Sequence, residues 1–252
     1  MKLRLSPQAP VSLVSLSRAL VAGICGAAIL GFALRPVAVE ATPKTATAAV
    51  AFRSADWTAA ALGGVSQNVF DLALAAANCA VRSGDVQVPS TLTVIDYSKP
   101  STDKRLWVFD LQSHDLLYRE LVAHGQGSGG NVPDHFSNDA DTHSSSIGLF
   151  VTGDTYTGKN GYSLRLDGLD AGFNDHALDR AIVMHGAPYV NEATAQALGR
   201  LGRSWGCPAL REGIAHEVID RVKGGNLVFA YYPDPAWLQK SKYLGDCAAA
   251  RP

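Results

Sequence analysis

Two short stretches carry residues whose types and spacing suit nucleophilic catalysis. Arg203-Ser204-Trp205-Gly206-Cys207-Pro208 puts a thiol directly after a glycine, in a turn that precedes a helical pattern. A Cys so placed presents its sulfur while neighbouring N–H groups face outward, and the amides around Gly206 and Cys207 are candidate oxyanion donors. Ile182-Val183-Met184-His185-Gly186 puts an imidazole at the end of an apolar, strand-like run. A His there can take the thiol proton and later supply it to a leaving amine. A free thiol ionises near pH 8.5 and an imidazole near 6.5, so a buried pairing is expected to move the thiol toward neutral pH. The separation of 22 residues leaves room for strand, helix and turn to bring the chain back beside its starting point. His124, His143 and His176 lie in or beside polar loops, where holding an imidazole in place costs more entropy, so His185 is the expected base.

The ordinary alternatives are an inert buried thiol and a structural histidine. Metal chemistry has less support. The seven His and four Cys contain no C-x-x-C, H-x-x-x-H or comparable ligand spacing, so neither metal nor cofactor is expected. Gly125–Gly130 (GQGSGG) lacks the strand–loop–helix context of a phosphate-binding loop.

Alternation of apolar and polar residues places strands at TLTVIDYS from Thr91, RLWVFDL, DLLYRELVAHG, IGLFVTG, YSLRLDG, AIVMHG and NLVFAYY. The second and third of these, separated by Gln112-Ser113-His114, read as a hairpin. Helical spacing appears at 66–82, with Ser66 as N-cap, at the short NEATAQALG, and at EGIAHEVIDRVK, whose apolar face is Ile214, Val218, Ile219 and Val222. Residues 125–146 are Gly/Ser/Asp-rich. So long a loop in a compact domain is expected to be a mobile lid or a wall of the substrate cleft. One helix followed mainly by strands predicts a β-rich domain.

Composition bounds the function. Residues 1–50 carry a net charge of +4 and the remaining 202 a net charge of −5. A mildly acidic body without a basic stripe argues against nucleic acid as a partner. Lys2, Arg4 and Arg18 precede sixteen uncharged residues, Ala19 to Leu34, the pattern of an export signal. Residues 1–35 are therefore expected to be an export signal, or an anchor associating the chain with the membrane if retained. Residues 36–52 are expected to be a linker, and the protein to lie in the periplasm or cell envelope. Outside the cytoplasm disulfides persist. The exported part has three cysteines, Cys79, Cys207 and Cys247, so one pair and one free thiol are expected, with the free one left open by the count.

His185-Gly186 and Ser204-x-Gly206-Cys207 together resemble the signature of the L,D-transpeptidase catalytic domain, the YkuD-like fold. Its murein L,D-transpeptidase branch is the nearer likeness, through AHGQGSG at 123–129, HFSN at 135–138, SSIG at 145–148, TGDTYTGKNGYSLRLDGL at 152–169 and GRSWGCPAL at 202–210. The likeness covers roughly residues 90–232. It implies a mainly β, β-sandwich-like fold with an N-terminal helix and a few short helices, built as a helical segment over 53–90 and a catalytic domain over 91–252.

It also implies that Cys207 attacks the carbonyl of a diamino-acid–D-alanine bond in a peptidoglycan stem peptide, that His185 is base and then acid, and that the Gly186 carbonyl orients the imidazole. Amides around Gly206 and Cys207 would hold the oxyanion, and Ser204 would brace the turn. An amine of a second, acceptor stem would resolve the thioester to a 3–3 cross-link. Water would make the protein an L,D-carboxypeptidase. The alternatives are another exported thiol hydrolase and a non-catalytic cell-wall binding module. With Cys207 as nucleophile, Cys79 and Cys247 are left to pair. Two positions depart from the wider family: Trp205 stands where His is common, and Ala209 where an Arg is common. Arg203 and Arg211 are the candidates to replace that Arg at a substrate carboxylate.

Overall fold

A computed structural model of the chain describes residues 51–245 and 247. The expected export signal and nearly all of the expected linker lie outside these residues. Eight strands form a closed barrel rather than a sandwich: β1 (Thr91–Asp96), β2 (Lys104–Asp110), β3 (Leu116–Ala123), β4 (Gly148–Gly158), β5 (Gly161–Gly168), β6 (Val183–Ala187), β7 (Ala209–Arg211) and β8 (Leu227–Tyr231). Their order around the barrel is β1-β2-β3-β7-β6-β5-β4-β8, with β8 closing on β1. The β1–β8 and β6–β7 pairs are parallel and the rest antiparallel. Closure leaves no unpaired edge, which a sandwich would have to protect.

The strands form where β-branched and aromatic residues cluster, and β1, β2 and β8 are buried along nearly their whole length. The described residues form four α-helices, of which α1 and α3 pack on the strands. In α1 (Gln67–Arg82) the Ser66 side chain accepts from the Val69 N–H, and Phe70, Ala73, Leu74, Ala77 and Cys79 are buried. The helix packs against β1 and β8. Trp57, Phe70 and Phe109 meet edge to face at 4.9–5.3 Å, so the segment before the barrel shares the barrel's core. Helix α2 (Glu192–Leu198) starts on an Asn191 cap and stops at Gly199 in the left-handed region. Helix α3 (Glu212–Val222) packs against β6 and buries Ala215, Val218, Ile219 and Val222, with Ile214 only partly covered. Helix α4 (Pro235–Lys240) seats Trp237 in the core.

Cys79 and Cys247 are joined by a disulfide with Cα atoms 5.6 Å apart, which fastens the C-terminal end of α1 to the tail. It closes a loop of 168 residues. The chain-entropy view gives such a loop at most about 5 kcal/mol. Cys207 is the free thiol among the described cysteines.

Candidate active site

The parallel pairing of β6 with β7 brings the two chemical stretches together. His185 lies in register with Ala209, so the turn carrying Cys207 runs beside the start of β6. Cys207 is buried, and its Sγ receives the Val183 N–H at 3.5 Å. The Ala181 carbonyl lies 3.8 Å from the same sulfur. His185 donates from Nδ1 to the Gly186 carbonyl at 2.8 Å, which leaves Nε2 as the ring nitrogen free to take a proton. Cys207 and His185 line one pocket of about 270 Å³, with Tyr189 also on its wall. A larger depression of about 450 Å³, between residues 84–90 and 224–226, is lined by neither cysteine nor histidine.

The turn is held from several sides. The Ser204 hydroxyl donates to the Cys207 carbonyl at 2.6 Å and accepts the Gly206 N–H at 3.2 Å. The Gly206 amide, one of the two expected oxyanion donors, is therefore engaged. No backbone carbonyl of the described residues accepts from the Cys207 N–H, which faces the sulfur of its own side chain and is the candidate donor for an oxyanion formed there. Gly206 has φ +113°, and a Cβ there would stand 2.8 Å from both the Ser144 carbonyl oxygen and Ile182 Cδ1.

None of the residues of the 125–146 loop lines this pocket, so the loop is not a wall of it, although His143 stacks on Trp205 at its mouth. The loop packs behind the turn. Ser145 donates to the Gly206 carbonyl at 2.9 Å and accepts from the Gly125 N–H at 3.0 Å. Arg180 binds the carbonyls of Ser137 and Ser144, each at 2.6 Å. Gly/Ser content permits mobility, but here it permits close backbone approach, and these bonds use it. Arg180 and Ser145 were not singled out in the sequence. Arg180 stands in a polar stretch before β6, and Ser145 is one of three consecutive serines, so neither gave a distinguishing signal.

Electrostatics correct the expectation of a thiol poised near neutral pH. Burial pushes the Cys207 thiol above its ordinary range, against smaller opposing effects from the Val183 N–H and the Arg180 charge. Burial also pushes His185 down, partly offset by the bond to Gly186. Both shifts favour a neutral thiol beside a neutral imidazole. His124 is buried behind the site. It accepts the Arg105 guanidinium at Nδ1 at 2.7 Å, and burial and that charge push it down to about 3.

Of the two arginines expected at a substrate carboxylate, Arg203 lines the pocket, whereas Arg211 forms a two-pronged ion pair with Glu120 at 2.7 and 2.8 Å. Ala209 is fully buried in a small cluster with Leu121, Ala123 and Ala187, where a guanidinium would have no room. The tip of the β4–β5 hairpin adds Lys159 and Asn160 to the pocket. Tyr162 fixes that hairpin by bonding Asp220 of α3 at 2.7 Å and stacking on His216. Trp205, 66% exposed, stands at the mouth. Among the described residues no cluster of His, Cys, Asp and Glu is placed to hold a metal ion.

Solved structures similar to this chain include an L,D-transpeptidase from Mycobacterium smegmatis (14% identity, TM-score 0.35, covering 57% of this chain and 59% of that one). Another is an L,D-transpeptidase from Mycobacterium tuberculosis H37Rv (16%, 0.34, 57% and 58%). A third is the helical cell shape determining protein Pgp2 from Campylobacter jejuni (12%, 0.39, 57% and 48%). The chain thus spans less than two thirds of the length of each. No curated protein matches it by sequence. The model of the L,D-transpeptidase catalytic domain matches residues 62–231, more than half of the chain. The chain belongs to the family of L,D-transpeptidase catalytic domains.

Proposed function

We propose that the protein is a cysteine acyltransferase acting on peptidoglycan stem peptides, with Cys207 as nucleophile. The observation that carries this reading is that Cys207 and His185 line one pocket while His185 spends Nδ1 on the Gly186 carbonyl. That bond fixes the tautomer and keeps Nε2 as the base.

The Cys207 Sγ adds to the carbonyl of a diamino-acid–D-alanine bond as its proton passes to His185 Nε2. The Cys207 N–H receives the developing oxyanion. The intermediate collapses with cleavage of the C–N bond, and His185 returns the proton to the departing amine of D-alanine. A thioester remains on Cys207. An acceptor amine, deprotonated by His185, then attacks it to form a 3–3 cross-link and regenerate the thiol. Water in place of the amine gives carboxypeptidase activity. Ser204 and Gly206 shape the turn. Residues 1–35 act as an export signal, which places the enzyme with its substrate in the cell envelope.

The test is mass analysis of products from a tetrapeptide stem, with and without an acceptor amine. D-Alanine release with a cross-linked product supports the transferase. Release without cross-linking marks a carboxypeptidase. A wild-type protein that releases no D-alanine, or a Cys207→Ala variant that still does, overturns the proposal.

A further inference from the structure

The Cys207 pocket differs in charge from the rest of the body. Residues 51–252 carry a net charge of −5, yet the titratable groups lining the pocket besides Cys207 are Lys159, Arg203, His185 and Tyr189, with no acidic side chain among them. The ion pairs among the described residues involve neither Lys159 nor Arg203. Arg203 gives one guanidinium N–H to the Gly129 carbonyl and stands near enough to Arg200 for the two charges to repel.

Lys159, on the β4–β5 tip, also lines the pocket. Its Nζ lies 5.9 Å from the centroid of Trp205. Trp205 is itself held flat against His143, with centroids 4.7 Å apart and planes 10° from parallel. An exposed indole fixed in this way gives the ammonium a resting place over the pocket by cation–π attraction. The resting place is weak, so an arriving carboxylate can draw the ammonium off the ring.

We propose that Lys159 and Arg203 form a two-cation clamp for a carboxylate of the donor peptide, with the Trp205–His143 stack as the positioning support of Lys159. This rests on the peptidoglycan reading for the identity of the ligand, but the charge of the site is testable without it.

The first measurement compares the rates at which anionic iodoacetate and neutral iodoacetamide alkylate Cys207. At low salt, replacing both cations (Lys159→Met with Arg203→Met) should lower the iodoacetate-to-iodoacetamide ratio by about three- to tenfold, and 0.5 M salt should shrink the wild-type preference similarly. Trp205→Leu should give part of the same loss. The iodoacetamide rate and the circular dichroism spectrum report whether the variant site is intact. Unchanged ratios in an intact double variant overturn the clamp.

The second measurement compares cleavage of the terminal amide bond in a stem peptide with free carboxylates, which releases D-alanine, and in one with those groups converted to carboxamides, which releases D-alaninamide. The wild type should prefer the free acid by about tenfold in kcat/KM, mainly through KM, and the double variant should lose that preference. Equal use of both peptides by the wild type overturns the clamp. If the wild type turns over neither peptide, the proposed reaction fails, and the alkylation ratio still decides whether the clamp exists.

Discussion

The backbone N–H of Val183 donates to the sulfur of Cys207 at 3.5 Å, two residues before His185 on the same strand. The sulfur is thus solvated by backbone, and burial pushes the thiol up while pushing the neighbouring imidazole down. An attack that begins from this state transfers the proton as the S–C bond forms. Alkylation of Cys207 by iodoacetamide should therefore keep rising through pH 9 rather than level off near neutrality. Turnover needs His185 neutral, so its acidic limb should fall below pH 6.5, the ordinary imidazole value. A plateau in alkylation between pH 6 and 7 would reveal a preformed thiolate–imidazolium pair and contradict the neutral resting state.

His185→Gln should slow acylation of Cys207 by a carbapenem about 10²- to 10⁴-fold, the usual contribution of a general base. Its melting temperature should stay close to that of the wild type, because His185 lies at the pocket wall and Gln has a similar reach. His124→Asn should slow acylation far less. His124 is 1% exposed, its Nδ1 is occupied by Arg105, and it does not line the pocket. Stopped-flow absorbance of the lactam chromophore gives both rates. If the His124 variant is the slow one, the base has been misassigned.

The strand set, the α1 cap and the Gly-Cys turn were legible because each rests on a local signal: alternation, a serine before an Ala/Leu run, a cysteine directly after a glycine. The three-residue β7 was not. Ala209-Leu210-Arg211 is too short to show a period, and its pairing with both β3 and β6 is a long-range event. Barrel closure was illegible for the same reason, since the parallel β1–β8 pair joins residues some 135 positions apart, such as Leu92 and Leu227. At the site, residue types announced Cys207 and His185. The contributions of Lys159 and Arg180 come from where a hairpin and a turn deliver them, which no spacing encodes.

Gly125→Ala should damage the site and the fold together. A Cβ at Gly125 would stand 2.3 Å from the His143 carbonyl oxygen and 2.8 Å from both N and Cα of Gly206. All three are backbone atoms and cannot swing aside, so the loop and the Cys207 turn must separate. A loss of about 2–4 kcal/mol in denaturant unfolding is expected, in the range of overpacking and broken buried hydrogen bonds. Acylation should fall by at least tenfold. Gly130→Ala, at a position with open space around it, is the control and should change neither. A Gly125 variant with normal stability would mean that the loop does not support the turn.

The buried Arg105–His124 pair sets an acid limit on the fold. Arg105 is fully buried, gives its N–H groups to the carbonyls of Lys99 and Val122, and donates to His124 Nδ1. In the fold His124 stays neutral down to about 3. In the unfolded chain an imidazole takes up its proton near pH 6.5. Between those values only the unfolded chain gains the proton, so stability rises with pH and is lost as pH falls from 6.5 toward 3. At about 1.4 kcal/mol per unit, roughly three and a half units give an upper figure of about 5 kcal/mol. His124→Asn keeps an acceptor for Arg105 and removes the titration. The variant should begin less stable at pH 7, because a smaller side chain leaves space, but its stability should change less between pH 6.5 and 4. Urea unfolding at a series of pH values measures the slope. Equal slopes in the wild type and the variant would remove His124 as the titrating group.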